Sequence, residues 1–200
     1  MSELELLAAE IAKCTRCLLH RGRTNTVPGD GPENADIMLI GEAPGFHEDQ
    51  QGRPFVGAAG KFLDELLESI GLTRKDVFIA NVIKCRPPGN RDPLPEEIET
   101  CKPFLDRQIE LIQPKLVVTL GRFSMARAFP KARISRIHGQ PRKIDGVLYY
   151  PMYHPAAALH QPSLRSVIKE DMLRIPDLIE QAAQIAESQI PTDVEQLKLF

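Results

Sequence analysis

The sequence lacks any hydrophobic run of the ~20 residues that a membrane-spanning helix needs, so we expect no membrane segment. It also lacks an internal repeat, and no residue class dominates its composition. Collagen-like, coiled-coil and disordered chains are therefore excluded. A large excess of charge of one sign is absent too, because 25 basic residues nearly balance 27 acidic ones. Any binding to nucleic acid must therefore come from a local basic patch.

Cysteine is scarce, with four in 200 residues. The first residues are acidic and amphipathic, and they lack the basic start and the small-residue cleavage site of a signal peptide. We therefore expect a cytoplasmic, monomeric protein whose cysteines serve metal or redox chemistry rather than disulfides. The length favours one domain, predicted over 1–187, with a flexible tail over 188–200.

Short apolar runs alternate with helical patterns along the chain. The predicted strands cover 36–40, 77–83, 116–120 and 147–152. This alternation predicts a three-layer α/β/α fold around a central, mainly parallel four-stranded sheet. Ligands of open parallel sheets bind outside the carboxyl ends of the strands, so we expect the chemistry in the loops that follow these runs.

The loops after the first predicted strand, GEAPGFHED and GRPFVG, are rich in glycine, proline and acidic residues. Glycine lets a backbone approach a ligand closely, and the absence of a following Gly-Lys-Ser/Thr excludes a P-loop. The carboxylates of Glu42, Glu48 and Asp49 could polarise a water molecule. Any one of them taken alone is more often a solvated turn residue.

Two further residues stand out because of their position in apolar strands. Asn81 lies within 78–83, where an amide without hydrogen bonds is costly. Its acceptor matches N3–H of uracil and its donors match O4, and cytosine reverses that pattern; a buried Asn bonded to backbone is an equally good explanation. His154 ends a strand directly before Pro155, where it is well placed as acid, base or donor. The remaining histidines are interpreted as surface residues: His20, His47, His138 and His160.

The cysteines indicate a metal site. Cys14 and Cys17 form a C-x2-C pair, whereas Cys85 and Cys101 are 16 positions apart. A zinc ribbon has two close pairs, so the match to zinc is poor, and four cysteines also bind a [4Fe–4S] cluster. Unliganded buried thiols are the alternative, but basic residues beside the first pair favour thiolates. Spacing alone leaves the identity of the metal open.

Taken together, GEAPG-x2-ED with GRPFVG, NVIKCRPPGNR and HPAA, held between four cysteines, resemble the type-4, iron–sulfur uracil-DNA glycosylases. The resemblance extends from Cys14 to about Pro176. It implies hydrolysis of the N-glycosidic bond of uracil in DNA during base excision repair, with turnover. A protein of the same fold that binds uracil-DNA without catalysis, or traps its product covalently, is the alternative.

The resemblance also implies roles for individual residues. Backbone contacts to uracil are implied for Gly41, Glu42 and Ala43. Phe55 would stack on the base, Asn81 would read its edge, and His154 would hydrogen-bond O2 as the bond breaks. A structural [4Fe–4S] cluster is implied on Cys14, Cys17, Cys85 and Cys101. Other branches of the superfamily carry a water-activating Asp near the position of Ala43. In this chain the water would therefore be held by Glu42, Glu48 or Asp49, or be activated only weakly.

Two segments point to macromolecular partners. Seven basic residues and no acidic one occur over 121–143, and we expect Arg133 and Arg136 among them to contact DNA phosphates. A solvated charged face is the alternative. Leu159 or His160 is a candidate wedge against the duplex. The terminal QLKLF (Gln196, Leu197, Leu199 and Phe200) resembles the peptide that binds the bacterial sliding clamp; docking of this tail on its own domain is the alternative.

Overall fold

The computed structural model describes residues 1–187, in which strands alternate with helices. The strands are β1 (Ile37–Gly41), β2 (Val77–Asn81), β3 (Leu116–Leu120), β4 (Arg142–Ile144) and β5 (Val147–Met152). The helices are α1 (Glu3–Lys13), α2 (Phe46–Gln51), α3 (Ala58–Glu68), α4 (Pro95–Ile112), α5 (Arg122–Ala126), α6 (Ile134–Ile137), α7 (Ala157–His160), α8 (Leu164–Leu173) and α9 (Ile175–Glu187). Over 1–187, no helix is long and apolar enough to cross a membrane.

The strands form one sheet in the order β2-β1-β3-β5-β4. The first four run parallel and β4 pairs antiparallel with β5 at the edge. The predicted α/β class with a mainly parallel sheet is confirmed, but the sheet has five strands rather than four. The strand that sequence reasoning missed, β4, is three residues long and largely exposed, so no apolar run marks it. Asp145 and Gly146, both with positive φ, close the hairpin that follows it.

Helices cover both faces of the sheet, which confirms the three layers. Every residue of β1, β2 and β3 is buried, as expected of parallel strands covered on both sides. Side chains at alternate positions belong to two separate clusters: Met38 and Ile40 pack with α1 and α4, whereas Ile37 and Leu39 pack with α3, α8 and α9. Burial on both faces fixes the register of the strands and therefore the position of the residues at their ends.

The carboxyl ends of the parallel strands lie together at one edge of the sheet. Gly41 ends β1 opposite Asn81, which ends β2. Gly121 follows β3 directly, and His154 lies two residues beyond β5. The four strand ends thus bring two glycines, the amide of Asn81 and the imidazole of His154 to the same edge of the sheet. This is the edge at which the sequence predicted the functional site.

Candidate active site

Four side-chain positions from separate segments meet at this edge of the sheet. A Cβ atom on Gly41 would collide with Oδ1 of Asn81 and would lie 2.7 Å from Cε2 of Phe55. The Phe55 ring is stacked on the ring of His154, with 5.4 Å between the ring centroids. Gly41 therefore allows Asn81 and Phe55 to approach the end of β1, and the His154 ring contacts the Phe55 ring.

The backbone of Phe55 adopts a left-handed conformation, with φ 54°. Such a φ is an outlier for a bulky residue and costs of order 1–3 kcal/mol, so neighbouring groups must hold it. The Arg74 guanidinium donates to the carbonyls of Pro54 (2.9 Å) and Phe55. Gly60 lies against the same carbonyl, where any Cβ would overlap it. The ring of Phe55 is thus held in place by groups outside the GRPFVG motif.

Two of the three candidate acids are occupied by backbone hydrogen bonds. Oε1 of Glu48 accepts from the amides of Val56 (2.8 Å) and Gly57 (3.0 Å), and Oε2 accepts from Gly45 (3.2 Å). Both oxygens of Asp49, which is buried, accept from the amide of Thr24 at 2.9 and 3.1 Å. Glu48 thus holds loops together through three backbone amides, and Asp49 does so from a position that is buried from solvent.

Glu42 differs from the other two acids. Burial and, to a smaller extent, the nearby Asp92 carboxylate together raise the pKa of its carboxyl to about 7, and Arg122 offsets this rise only in part. No hydrogen bond from a described residue contributes to that shift. The backbone carbonyl of Glu42 accepts from Ile83 (3.2 Å), which fixes the chain beside β2. Its carboxyl is therefore a proton acceptor that titrates near neutral pH. The next residue, Ala43, is half-buried against the α1 and α4 side of the core.

His154 is held in one tautomer. Its Nδ1 lies 3.1 Å from the amide nitrogen of Ala156, which can only donate, so the ring proton is assigned to Nε2. Burial lowers the pKa of His154 to about 4, and the nearby Glu48 carboxylate opposes this only in part. The imidazole is therefore neutral at pH 7 and presents an N–H donor from Nε2.

All four cysteines line one small cavity between α1, α4 and the end of β2. Cys85 and Cys101 are buried, and Cys14 and Cys17 are half-buried. Arg23 donates to Sγ of Cys85 (3.2 Å). Burial raises the pKa of Cys101 to about 11, and the Lys84 ammonium works against that rise. Arg23 and Lys84 thus place cations beside Cys85 and Cys101, where they favour the thiolate forms against the effect of burial.

The lining of this cavity fits a metal centre held by thiolates. In an iron–sulfur cluster each of four cysteines binds a different iron around a shared space, and four cysteines line this one cavity. The residues present therefore fit a [4Fe–4S] cluster.

The predicted DNA-contacting residues are exposed and lie near the end of β5. Arg133 directly precedes α6 and Arg136 lies within it. The chain just after α6 is tied to β5 by a hydrogen bond from the amide of Gly139 to the carbonyl of Pro151 (2.9 Å). Leu159 (46% exposed) and His160 end the short helix α7 that follows His154. Other basic residues of the segment 121–143 have different surroundings. Arg122 forms an ion pair with Asp92, and Arg127 forms one with Asp106. Lys143 lines a cleft at the opposite end of the sheet.

Two histidines are not the surface residues that the sequence suggested. Nδ1 of His138 lies 2.8 Å from Oδ2 of the buried Asp171, and its ring packs against Tyr153 with 4.9 Å between centroids. His20 is half-buried beside the cysteines, and its Nδ1 lies 2.7 Å from the carbonyl of Cys17. The prediction is confirmed for His47 and His160, which are exposed. Sequence spacing gave no signal for these contacts, because Asp171 is 33 residues from His138.

Comparisons with known proteins find one family and several related enzymes. The family model of the uracil DNA glycosylase superfamily matches residues 28–175. The chain is 48% identical over 188 residues to the type-4 uracil-DNA glycosylase of Sulfurisphaera tokodaii, with 89% of this chain and 86% of that protein covered. It is 48% identical over 187 residues to that of Archaeoglobus fulgidus (89% and 94% covered). It is 42% identical over 181 residues to that of Thermotoga maritima (88% and 94% covered).

Proposed function

The chain belongs to the uracil-DNA glycosylase superfamily, and we propose that it hydrolyses the N-glycosidic bond of uracil in DNA, leaving an abasic site for base excision repair. The observation that carries this function is the meeting of Phe55, Asn81 and His154 around the end of β1. These groups supply a stacking face, a base-reading amide and a hydrogen-bond donor at one place.

Uracil selection rests on the amide of Asn81. A base that undergoes chemistry leaves the stack and enters a pocket on the enzyme, where its edge is read by hydrogen bonds. The Asn81 amide donates to O4 and accepts from N3–H of uracil, whereas cytosine offers a donor and an acceptor in the reverse order. The face of the base stacks on Phe55, and the backbone of Gly41, Glu42 and Ala43 contacts its remaining edge.

Bond cleavage leaves negative charge on the departing uracil and positive charge on the sugar. Nε2–H of His154 donates to O2, where the negative charge develops. One such preoriented donor contributes about 3 kcal/mol to the transition state. Because His154 is already neutral, it stabilises the anion without first losing a proton.

The attacking water is activated by Glu42, since Glu48 and Asp49 are engaged with backbone amides. A carboxyl whose pKa lies near 7 is well matched to proton transfer at neutral pH. The phosphates of the bound DNA stabilise the sugar cation beside it. Glu42 thus takes the task that an Asp performs in other branches of the superfamily.

The cysteines of this cavity, Cys14, Cys17, Cys85 and Cys101, would hold a [4Fe–4S] cluster. Bound there, the cluster would connect the start of the chain to both ends of the segment 85–101 and would serve the fold rather than bond cleavage. The free energy of binding four thiolates then stabilises the fold. Brown colour with broad visible absorption in the purified protein tests this assignment, and a colourless protein with one zinc per chain contradicts it.

The remaining contacts involve larger partners. Arg133 and Arg136 bind phosphates of the DNA, while Leu159 or His160 occupies the space that the extruded base leaves. The glycosylase domain covers 1–187. The segment 188–200 lies outside the described residues, and its Gln196, Leu197, Leu199 and Phe200 bind the bacterial sliding clamp. Removal of 196–200 should abolish binding to a purified clamp and leave uracil excision unchanged; retained clamp binding contradicts this role.

The activity is tested with an oligonucleotide that contains one uracil, followed by cleavage of abasic sites with alkali. We expect many cleaved strands per enzyme molecule, no cleavage with a thymine control, and loss of activity in His154→Ala. The matched control, His47→Ala, removes an exposed histidine outside the pocket and should stay active. A single turnover with a stable protein–DNA cross-link would instead identify a trapping protein, and no product with either base would refute the function.

A further inference from the structure

A lysine is buried between the cysteine cavity and the uracil-reading residue. Lys84 is 1% exposed, and its Nζ donates to the carbonyl of Asn81 (2.9 Å) and to Oε1 of Gln108 (2.6 Å). Neither acceptor carries a charge. A buried charge without a charged partner is costly, so this ammonium must be balanced by something else nearby.

The surrounding hydrogen bonds place Lys84 in a rigid part of the molecule. The chain beyond β2 runs beside the GEAPG loop, where Val82 donates to the carbonyl of Gly41 (3.1 Å). The carbonyl of Lys84 accepts from Val27 (2.8 Å). Gln108 itself is anchored through Nε2 to the carbonyl of Pro28 (2.7 Å). The ammonium therefore joins the end of β2 to α4 with every partner fixed.

The same ammonium faces the thiols. Lys84 lines the cysteine cavity and precedes Cys85 in sequence. Gln108 lies seven residues after Cys101 on α4, two helical turns along the same face. An iron–sulfur cluster with four thiolates carries net negative charge. Gln108 is neutral and so does not cancel the positive charge of Lys84, as a carboxylate at this position would. That charge can therefore attract the negative charge of the cluster.

We propose that Lys84 is a positioning residue that links the cysteine site to uracil recognition. Its ammonium fixes the carbonyl of Asn81, and with it the amide that reads uracil, while its charge balances the thiolates on the other side. This inference rests on the proposed function. It predicts that uracil selection and the electrostatics of the cluster change together when the ammonium is removed.

Two substitutions separate the two tasks. Lys84→Met removes both the hydrogen bond to Asn81 and the positive charge, with nearly the same side-chain length. Gln108→Glu keeps the bond to Asn81 but supplies a carboxylate that neutralises the ammonium. The control is Lys102→Met, which removes an exposed lysine beside Cys101 that pairs with Asp106. Each variant is compared with the wild type in uracil excision kinetics, inhibition by free uracil, and the reduction potential of the cluster.

We expect Lys84→Met to lower kcat/KM for uracil-DNA about 10-fold or more and to weaken inhibition by free uracil, because a hydrogen bond from a charged donor is lost. Its cluster potential should become more negative, since less positive charge faces the cluster. Gln108→Glu should shift the reduction potential of the cluster in the same direction, while its kcat/KM for uracil excision stays within about threefold of the wild-type value. Lys102→Met should change neither the reduction potential nor kcat/KM.

Wild-type kinetics in Lys84→Met, or an unchanged potential in Gln108→Glu, would overturn the inference. If Lys84→Met does not fold, the potential of Gln108→Glu and the excision kinetics of Lys84→Gln decide the question. Lys84→Gln keeps an N–H donor but removes the charge. Uracil binding near that of the wild type, together with a shifted reduction potential of the cluster, supports the role of Lys84 in connecting the two sites. An unshifted reduction potential in this variant refutes that role. Absence of excision by the wild type would refute the proposed function instead, because the potentials are measured without DNA.

Discussion

At the scale of single residues, base selection depends on the orientation of the Asn81 amide. Replacing it by a carboxylate, Asn81→Asp, removes the donor to O4 and places negative charge beside that oxygen. An unsatisfied buried polar group costs up to about 3 kcal/mol, so kcat/KM for uracil should fall about 100-fold. The carboxylate accepts from the N4 amino group of cytosine, so the ratio of cytosine to uracil excision should rise.

The measurement is excision from matched oligonucleotides that contain uracil or cytosine at one position. Asn34→Asp, which introduces the same charge at an exposed position, serves as the control and should retain wild-type selectivity. An Asn81→Asp variant that keeps full uracil excision would show that the amide does not read the base.

The two titrating groups of the pocket predict the pH dependence of excision. The pKa of His154 is about 4, so the imidazole is neutral throughout the range above about pH 5. The pKa of Glu42 is about 7, so its basic form increases about tenfold per pH unit below that value. The rate of bond hydrolysis should therefore rise with pH and reach a plateau above about pH 8.

Glu42→Gln should lower the plateau and abolish the rise near pH 7, in single-turnover measurements across that range. The exposed Glu68→Gln variant should retain the wild-type profile. If the rise persists in Glu42→Gln, another group activates the water.

At the scale of structural elements, Glu48 joins two loops that the sequence separates. It binds Gly45, before α2, and Val56 and Gly57, before α3. In Glu48→Gln one oxygen becomes an amide that cannot accept a backbone N–H, so the free energy of unfolding should fall by about 2 kcal/mol. Because Phe55 directly precedes these amides, uracil excision should fall as well.

Urea unfolding and excision kinetics measure the two effects. Glu99→Gln, an exposed change on α4, should alter neither. Loss of activity with unchanged stability would indicate a chemical role for Glu48 in place of the structural one.

The same loops show how far the sequence predicts this molecule. Apolar runs are sufficient to locate the four parallel strands, because burial on both faces leaves them few polar positions, such as Asn81 in β2 and Thr119 in β3. The edge strand β4 cannot be located in this way, because Arg142 and Lys143 are exposed and form no apolar run. Its only signal in the sequence is the Asp145-Gly146 turn that follows it. The left-handed backbone of Phe55 could not be predicted either, because Arg74 and Gly60 hold it through tertiary contacts. Motif spacing likewise identifies three candidate acids, but the backbone amides that occupy Glu48 and Asp49 exist only in the fold.

At the scale of the whole molecule, the net charge of −2 gives no overall attraction to DNA, so the distribution of charge decides binding. Arg133 and Arg136 are exposed near the carboxyl end of β5, on the side of His154. Lys115 and Lys143 lie around a cleft at the amino ends of β3 and β5. Basic residues thus occur at both ends of the sheet, and Arg133 and Arg136 lie at the end where the parallel strands finish, because Gly139 just after α6 donates to Pro151 near the end of β5.

This difference gives two double variants with the same change in net charge. Arg133→Gln with Arg136→Gln should weaken binding to uracil-containing duplex DNA. It should also reduce the slope of log Kd against log salt by about 2, because each phosphate contact contributes about 0.9. Lys115→Gln with Lys143→Gln should leave both quantities near wild type, because its charges lie at the opposite end of the sheet. Equal effects of the two variants would mean that the net charge of the protein alone determines its affinity for DNA. If the arginine double variant binds DNA like the wild type, the phosphate contacts lie elsewhere on the protein.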